Sequence, residues 1–164
     1  KRAAARRLVF RWFREGCGQG LHRLHGALVY TYPMSTFADD HRCFVCGQEN
    51  PVGLKLRFQQ GEGTAETTVV FPSYLQGWQD TVHGGALATV LDEVMVQAAM
   101  GSGITCVTAE ITVSFKKPAA TGLPYVASGK ILEARGRLLA AEGELRDGAG
   151  VVYARATAKL FKIE

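Results

Sequence analysis

Several features of well-known protein classes are missing from this 164-residue chain. It has four cysteines, too few for the disulfide framework of a small secreted domain, so we expect a cytoplasmic protein in a reducing environment. No apolar run approaches the roughly 18 residues that a membrane-spanning helix needs, and we predict no membrane partner. The Gly-x-Ser-x-Gly, P-loop and dinucleotide-binding patterns are also absent, which argues against the enzymes that depend on them.

Acidic residues are scarce at the N-terminus. Residues 1–33 contain seven Lys or Arg and one acid, Glu15, so this segment carries the excess behind the net charge of +4. We interpret residues 1–33 as a basic extension, either non-native or disordered, and residues 34–164 as the folded domain. Three origins stay open: sequence upstream of a true start at Met34, a targeting segment, or an arm for nucleic acid or membrane. The domain is mildly acidic, and we predict no nucleic-acid partner for it.

One long apolar segment lies among several alternating ones. Residues 84–100 are apolar on almost every side and are followed by Gly101, which predicts one buried helix. Segments with a period of two predict strands at 54–60, 64–71, 105–117, 125–135, 138–146 and 151–163. Short turns join consecutive strands, which we therefore expect to pair in antiparallel fashion. The sequence predicts an α+β domain, in which about six strands wrap around one long central helix.

The predicted helix opens with His83-Gly84-Gly85 and carries Asp92. The first N–H groups of a helix have no partner within it, and glycines leave them accessible to an anion or a developing oxyanion. Asp92 lies on an apolar stripe of the helix, where an unpaired carboxylate is costly and needs a partner or a task. Together these features indicate chemistry on a carbonyl group.

Three stretches, in this order along the chain, resemble the hotdog-fold acyl-CoA thioesterases, in particular the phenylacetate-pathway (PaaI-like) type. They are residues 43–54 (C-F-V-C-G-Q-E-N-P-V-G-L), the helix that opens at His83, and residues 107–118 (V-T-A-E-I-T-V-S-F-K-K-P). The resemblance covers roughly residues 43–163. It implies the hotdog fold and hydrolysis of an acyl-CoA to a carboxylic acid and free coenzyme A, with no metal or redox cofactor.

The resemblance also implies roles at the helix. Asp92 would act as nucleophile or as general base on water, and Gly84 and Gly85 would polarise the thioester carbonyl through their N–H groups. His83 would orient this turn or contact the carbonyl. Structural interpretations stay open beside these: an interior aspartate that holds neighbouring backbone, glycines that permit a sharp entry into the helix, and a purely structural histidine.

Three further residues belong to the predicted site. Thr108 matches a family position whose hydroxyl helps to place the attacking water. Strict alternation puts it on the strand face opposite Val107 and Ile111, so a bulge or a dimer partner must bring it to the site. Lys116 and Lys117 are candidate contacts for the phosphates of coenzyme A, although solvated surface lysines would show the same pattern.

The spacing of His83 and Asp92 predicts an assembly. Nine residues at about 1.5 Å each place Asp92 roughly 13 Å along the helix, whereas catalytic contacts are about 3 Å. One helix therefore cannot supply both ends of one site. Two antiparallel helices across a twofold axis can, so we expect a homodimer with two shared sites, alone or paired into a homotetramer.

Cys43 and Cys46 have the spacing of a metal-binding pair. A structural zinc site needs four ligands, and no second CxxC or CxxH pair follows, so we predict no metal site. Two other functions stay open: a hotdog dehydratase or hydratase, which combines a histidine and an acid in a different motif arrangement, and a non-catalytic acyl-CoA sensor.

Overall fold

The computed structural model of the protein describes residues 20–24, 27–31 and 39–163. The chain divides into two units, residues 1–39 and 40–164. In the first unit, β1 (Gly20–Leu24) and β2 (Ala27–Thr31) form an antiparallel hairpin. The prediction of a non-native or disordered extension at 1–33 falls largely outside the described residues.

The second unit is a six-stranded sheet packed on one helix, α1 (Gly84–Met100). Its strands are β3 (Gln59–Gly61), β4 (Thr64–Val70), β7 (Cys106–Phe115), β8 (Pro124–Arg135), β9 (Leu138–Arg146) and β10 (Val152–Lys162). The strand order is β3-β4-β8-β9-β10-β7, with every pair antiparallel. A small ribbon of β5 (Gln76–Trp78) and β6 (Thr81–Val82) precedes the helix.

Helix α1 has the bounds predicted from the sequence and is buried against the sheet. Its apolar character on nearly every side explains this position, since no face of it favours water. Within the part of the chain that the structure describes, no helix has both the length and the apolar composition to cross a bilayer. The buried helical residues are Leu87, Val90, Leu91, Val94, Met95, Gln97, Ala98 and Ala99.

Two details of the predicted sheet are wrong. Residues 54–58 do not form a strand, because Leu54 and Leu56 donate their N–H groups to the carbonyls of Phe44 and Val45 instead of extending the ladder. Lys55 between them has a left-handed φ of 52°. In addition, β7 and β8 are consecutive but not neighbours: β7 lies at the sheet edge beside β10, and β8 returns to pair with β4. The helical crossover from β4 to β7 opens the gap that β8, β9 and β10 fill.

The helix approaches the sheet closely over two glycines that pair across β8 and β9, Gly129 and Gly143. A Cβ at Gly129 would lie 2.4 Å from the carbonyl oxygen of Val94, and one at Gly143 would lie 3.3 Å from Cγ of Met95. Backbone atoms cannot yield as a flexible side chain can. The glycine pair therefore allows the sheet to curve around α1 at backbone contact distance.

We predict that Gly129→Ala destabilises the domain by about 1–3 kcal/mol or more, since the added methyl group would force the helix away from the sheet. The measurement is the urea midpoint, followed by circular dichroism. Gly148→Ala is the matched control, because a Cβ there meets nothing within 4 Å and the residue lies in a turn. Equal midpoints for the two variants would contradict the close approach.

Candidate active site

Asp92 and Thr108 are joined by a short hydrogen bond. Asp92 lies in the middle of α1 and Thr108 on β7, and both are half-buried. The Thr108 hydroxyl donates to Oδ1 of Asp92 at 2.6 Å. The structure thus brings together two residues that the sequence singled out separately, and it provides the partner that a half-buried carboxylate requires.

A β-bulge at Ala109 turns Thr108 toward the helix. Glu110 pairs with Lys159 of β10, but the next pair is Thr108 with Leu160, so Ala109 is the extra residue. Because Leu160 is fully buried under the helix, its partner Thr108 shares the inner face. The strict alternation that put Thr108 on the face opposite Val107 and Ile111 is therefore wrong across the bulge. A bulge was one of the two routes expected to bring Thr108 to the site.

Cys106 shares the inner face with Thr108 and is almost fully buried. Burial, and secondarily the charge of nearby Asp92, raise the pKa of the Cys106 thiol to about 11. The Cys106 thiol is consequently neutral near pH 7, which makes it a weak nucleophile there.

His83 is the N-cap of α1 and is held by several contacts. Its Nδ1 accepts the N–H of Gly85 at 2.9 Å, and its own N–H donates to the carbonyl of Leu75 at 2.8 Å. A Cβ at Gly77 would lie 3.0 Å from Cδ2 of the ring. Since Nδ1 is an acceptor, the neutral ring carries its proton on Nε2.

The helix N-terminus offers fewer donors than the two glycines suggest. The N–H of Gly85 is engaged by His83, and a Cβ at Gly85 would lie 3.0 Å from the same Nδ1. For the N–H of Gly84, no acceptor occurs among the described residues. A Cβ at Gly84 would lie 3.2 Å from Cζ of Phe115, so the end of β7 closes over this end of the helix.

Lys116 and Lys117 follow Phe115 directly and are both exposed. Their N–H groups donate to the carbonyl of Tyr153 at 2.8 and 3.2 Å, which fixes the backbone of the pair. The contact between Phe115 and Gly84 places the start of this segment near the N-terminus of α1. The N-terminal end of α1 is therefore the end near His83, Gly84 and the two lysines. Asp92 lies about 12 Å from Gly84 along the same helix.

A groove of about 340 Å³ runs beside His83. Its lining is mostly apolar and aromatic, as in small-molecule sites. The lining residues are Phe44, Val52, Leu54, Tyr74, Leu75, Gln76, His83, Ala86 and Thr89. A larger groove of about 850 Å³ covers the outer face of the sheet and contains Glu66, Glu144 and Arg155, but none of the predicted site residues.

Glu93, next to Asp92, lies against the turn that holds Cys43 and Cys46. Its Oε1 accepts the side-chain N–H of Gln97 at 2.7 Å, and its Oε2 lies 3.9 Å from Sγ of Cys43. Burial and the neighbouring Glu93 raise the pKa of the Cys46 thiol. The sequence gives no sign of the contact between Glu93 and Cys43, because it joins residues fifty positions apart.

The comparisons with known proteins agree with this geometry. Residues 79–154 match the family model of the thioesterase superfamily. No curated protein matches the sequence. The chain is 25% identical to the solved protein PA5202 of Pseudomonas aeruginosa, with 67% of this chain and 90% of that chain covered and a TM-score of 0.62.

Two further solved structures have the same fold. The PaaI protein of the Escherichia coli phenylacetic acid degradation operon is 20% identical, over 68% of this chain and 81% of its own, with a TM-score of 0.64. A hypothetical thioesterase protein of Streptococcus pneumoniae TIGR4, solved with coenzyme A, is 16% identical, over 65% of this chain and 87% of its own, with a TM-score of 0.63. The predicted hotdog fold and the resemblance to hotdog thioesterases are confirmed.

Proposed function

We propose that this hotdog-fold protein is an acyl-CoA thioesterase in which Asp92 activates the attacking water. The observation that carries the proposal is the 2.6 Å hydrogen bond from Thr108 to Asp92 in the middle of a buried helix. The water attacks the thioester carbonyl carbon, the carbon–sulfur bond breaks, and a carboxylic acid and free coenzyme A leave. No metal or redox cofactor takes part in this step.

The hydrogen bond assigns a separate task to each partner. Because Oδ1 of Asp92 accepts the Thr108 hydroxyl, Oδ2 is the oxygen that takes the proton of the water. The lone pairs of the Thr108 oxygen can accept the second water proton, which fixes the orientation of the attacking oxygen. Asp92 thus acts as general base, and Thr108 holds both the base and the water.

The streptococcal thioesterase supports this assignment. One solved structure of that protein carries alanine in place of a threonine, and another carries alanine in place of an aspartate. These two residues are sixteen positions apart. Asp92 and Thr108 are likewise sixteen positions apart. The same residue types at the same spacing, on the same fold, favour a common role.

The donors for the thioester carbonyl are the N–H of Gly84 and Nε2–H of His83. Gly85 keeps its N–H on Nδ1 of His83, and this bond holds the imidazole in the tautomer that donates from Nε2. Gly85 therefore supports the oxyanion site through His83 instead of contacting the carbonyl. Lys116 and Lys117 lie toward the same end, where the phosphates of coenzyme A would meet positive charge.

The site is completed by a second copy of the chain. Among the strands that the structure describes, β7 is an edge strand that pairs only with β10, and Phe115 on it is 53% exposed. An unpaired edge is a template for another strand. Two β7 strands related by a twofold axis would set their α1 helices antiparallel, so that each helix N-terminus meets the partner subunit's general base. Each dimer would hold two sites, in a cytoplasmic enzyme.

The decisive experiment is a panel of acyl-CoA thioesters with short, long and aromatic acyl groups. We expect release of free thiol from at least one class, with the preferred acyl group limited in size by the groove of about 340 Å³. Thiol release is followed with a disulfide reagent. Binding of several acyl-CoAs without hydrolysis would favour a sensor, and reversible hydration of an unsaturated acyl-CoA would favour a hydratase.

We predict that Asp92→Asn lowers kcat by about 10²–10⁴-fold, because the general base is lost while the hydrogen bond from Thr108 can persist. Thr108→Val should lower kcat by about 10-fold or more. Glu110→Gln is the matched control on β7, since Glu110 is exposed and paired with Lys159 at 2.7 Å on the outer face. Full activity in Asp92→Asn would refute the proposed mechanism.

Gly84 allows a test of one backbone donor. Gly84→Pro removes the N–H, and proline is well tolerated at the first position of a helix after an extended residue such as His83, with φ of −62° and ψ of 136°. We expect a loss of about 100-fold or more in kcat. Gly84→Ala presents the same Cβ to Phe115 but keeps the N–H, so it should retain most of the activity.

The same variants test whether sites are shared. A mixed dimer of one Asp92→Asn chain and one Gly84→Pro chain has one site with both defects and one intact site. When equal amounts of the two variants exchange subunits at random, half of the dimers are mixed. The mixture should therefore regain about one quarter of the wild-type activity. If the mixture stays at the level of its parents after verified exchange, each site lies within one chain.

A further inference from the structure

Three potential metal ligands converge beside the helix, outside the proposed catalytic residues. The sulfur atoms of Cys43 and Cys46 and a carboxylate oxygen of Glu93 all lie within 4.8 Å of one another, and all three side chains are half-buried. In a tetrahedral zinc site, metal–ligand bonds of about 2.0–2.3 Å put ligand atoms about 3.5–3.8 Å apart. The observed separation of 3.9 Å between Cys43 and Glu93 is close to this value.

The turn from Cys43 to Gly47 directs both thiols to one side. The N–H of Gly47 donates to the carbonyl of Cys43 at 2.8 Å, and the N–H of Val45 donates to Sγ of Cys43 at 3.4 Å. A Cβ at Gly47 would lie 2.4 Å from the backbone nitrogen of Cys43, so the turn requires glycine there. The N–H of Val45 thus helps to fix the direction in which the sulfur of Cys43 points.

A relay of glutamines orients the carboxylate. Gln97 donates to Oε1 of Glu93 at 2.7 Å, and Gln60 of β3 donates to Oε1 of Gln97 at 2.7 Å. Gln97 is buried, so the relay is sheltered from solvent. It leaves Oε2 of Glu93 directed toward Cys43. Partners of this kind, which fix a ligand through its second oxygen, typically surround protein metal sites.

We propose that Cys43, Cys46 and Glu93 bind a thiophilic divalent cation of the zinc type. Three protein ligands leave a fourth position for water or another small ligand. Motif spacing in the sequence reveals only cysteine and histidine ligands that lie near one another in the chain, whereas the fold supplies the third ligand, Glu93, from α1. The ion joins the 43–47 turn to the helix, and because Phe44 of that turn lines the groove beside His83, it fixes one wall of the groove.

The test uses the full chain, reduced, freed of metal with a chelator and titrated with Co²⁺ without oxygen. We expect one ion per chain, with thiolate-to-cobalt charge-transfer absorption and the visible bands of a tetrahedral ion, both displaced by Zn²⁺. Zn²⁺ should also raise the Tm of the metal-free protein in a concentration-dependent manner. Absence of the charge-transfer absorption in the reduced protein would overturn the proposal.

Variants separate this site from other thiols and carboxylates. Cys43→Ser and Cys46→Ser should each abolish the charge-transfer absorption, and the near-isosteric Glu93→Gln should weaken Co²⁺ binding by about 10-fold or more. Cys106→Ala and Glu110→Gln are the controls and should bind as the wild type does. Unchanged affinity in Glu93→Gln, absorption that survives in Cys46→Ser, or a Cys43–Cys46 disulfide in protein kept under reducing conditions would each refute the site.

Discussion

The close approach of α1 to the sheet over Gly129 and Gly143 is the constraint on which the rest of the structure depends. With no side chain at either position, the carbonyl of Val94 and the side chain of Met95 lie directly on the strands. Close packing of this kind leaves the helix no freedom to rotate or to slide by a residue. Leu91 packs on the same pair of strands, and Asp92 is the next residue along. The glycine pair thus fixes the position along the helix axis at which the Asp92 carboxylate contacts β7.

The second determinant is the bulge at Ala109. Without it, Thr108 would follow strict alternation and lie with Glu110 on the outer face, away from Asp92. One extra residue moves the side chains that precede it in the strand to the opposite face of the sheet. Thr108 and Cys106 therefore point to the helix, while Ile111 and Val113 also pack on the inner face. Bulges often re-aim side chains next to functional sites. Here the 2.6 Å contact between Thr108 and Asp92 depends on it.

Those features that depend on local pattern could be predicted from the sequence. The bounds of α1 follow from a mainly apolar segment between Gly84 and Gly101, and the long strands β8 to β10 follow from alternation between turn residues. The features that were missed depend on contacts distant in the chain. Residues 54–58 alternate like a strand, but the N–H groups of Leu54 and Leu56 bind carbonyls of the 43–47 turn. The order of β7 and β8 depends on where the helix crosses the sheet.

The candidate site divides in the same way. Asp92 could be recognised because a carboxylate on an apolar stripe is visible in the sequence, whereas the hydrogen bond from Gly85 to His83 is not. That bond changes the chemistry of the helix N-terminus. It removes one backbone donor from the oxyanion site and supplies a side-chain donor, because an imidazole that accepts at Nδ1 carries its proton at Nε2. A glycine motif alone therefore overstates the number of backbone donors.

Asp92 and Glu93 illustrate how one helix serves two surfaces. Adjacent residues on an α-helix point about 100° apart, so the two neighbouring carboxylates face different surfaces. Asp92 meets Thr108 on one side of α1, and Glu93 meets Cys43 and Gln97 on another. Both are fixed by the same packing of α1 on the sheet. A shift of the helix that disturbed one contact would therefore disturb the other. The geometry of the 43–47 turn, including the groove wall at Phe44, is thus coupled to the position of the proposed general base.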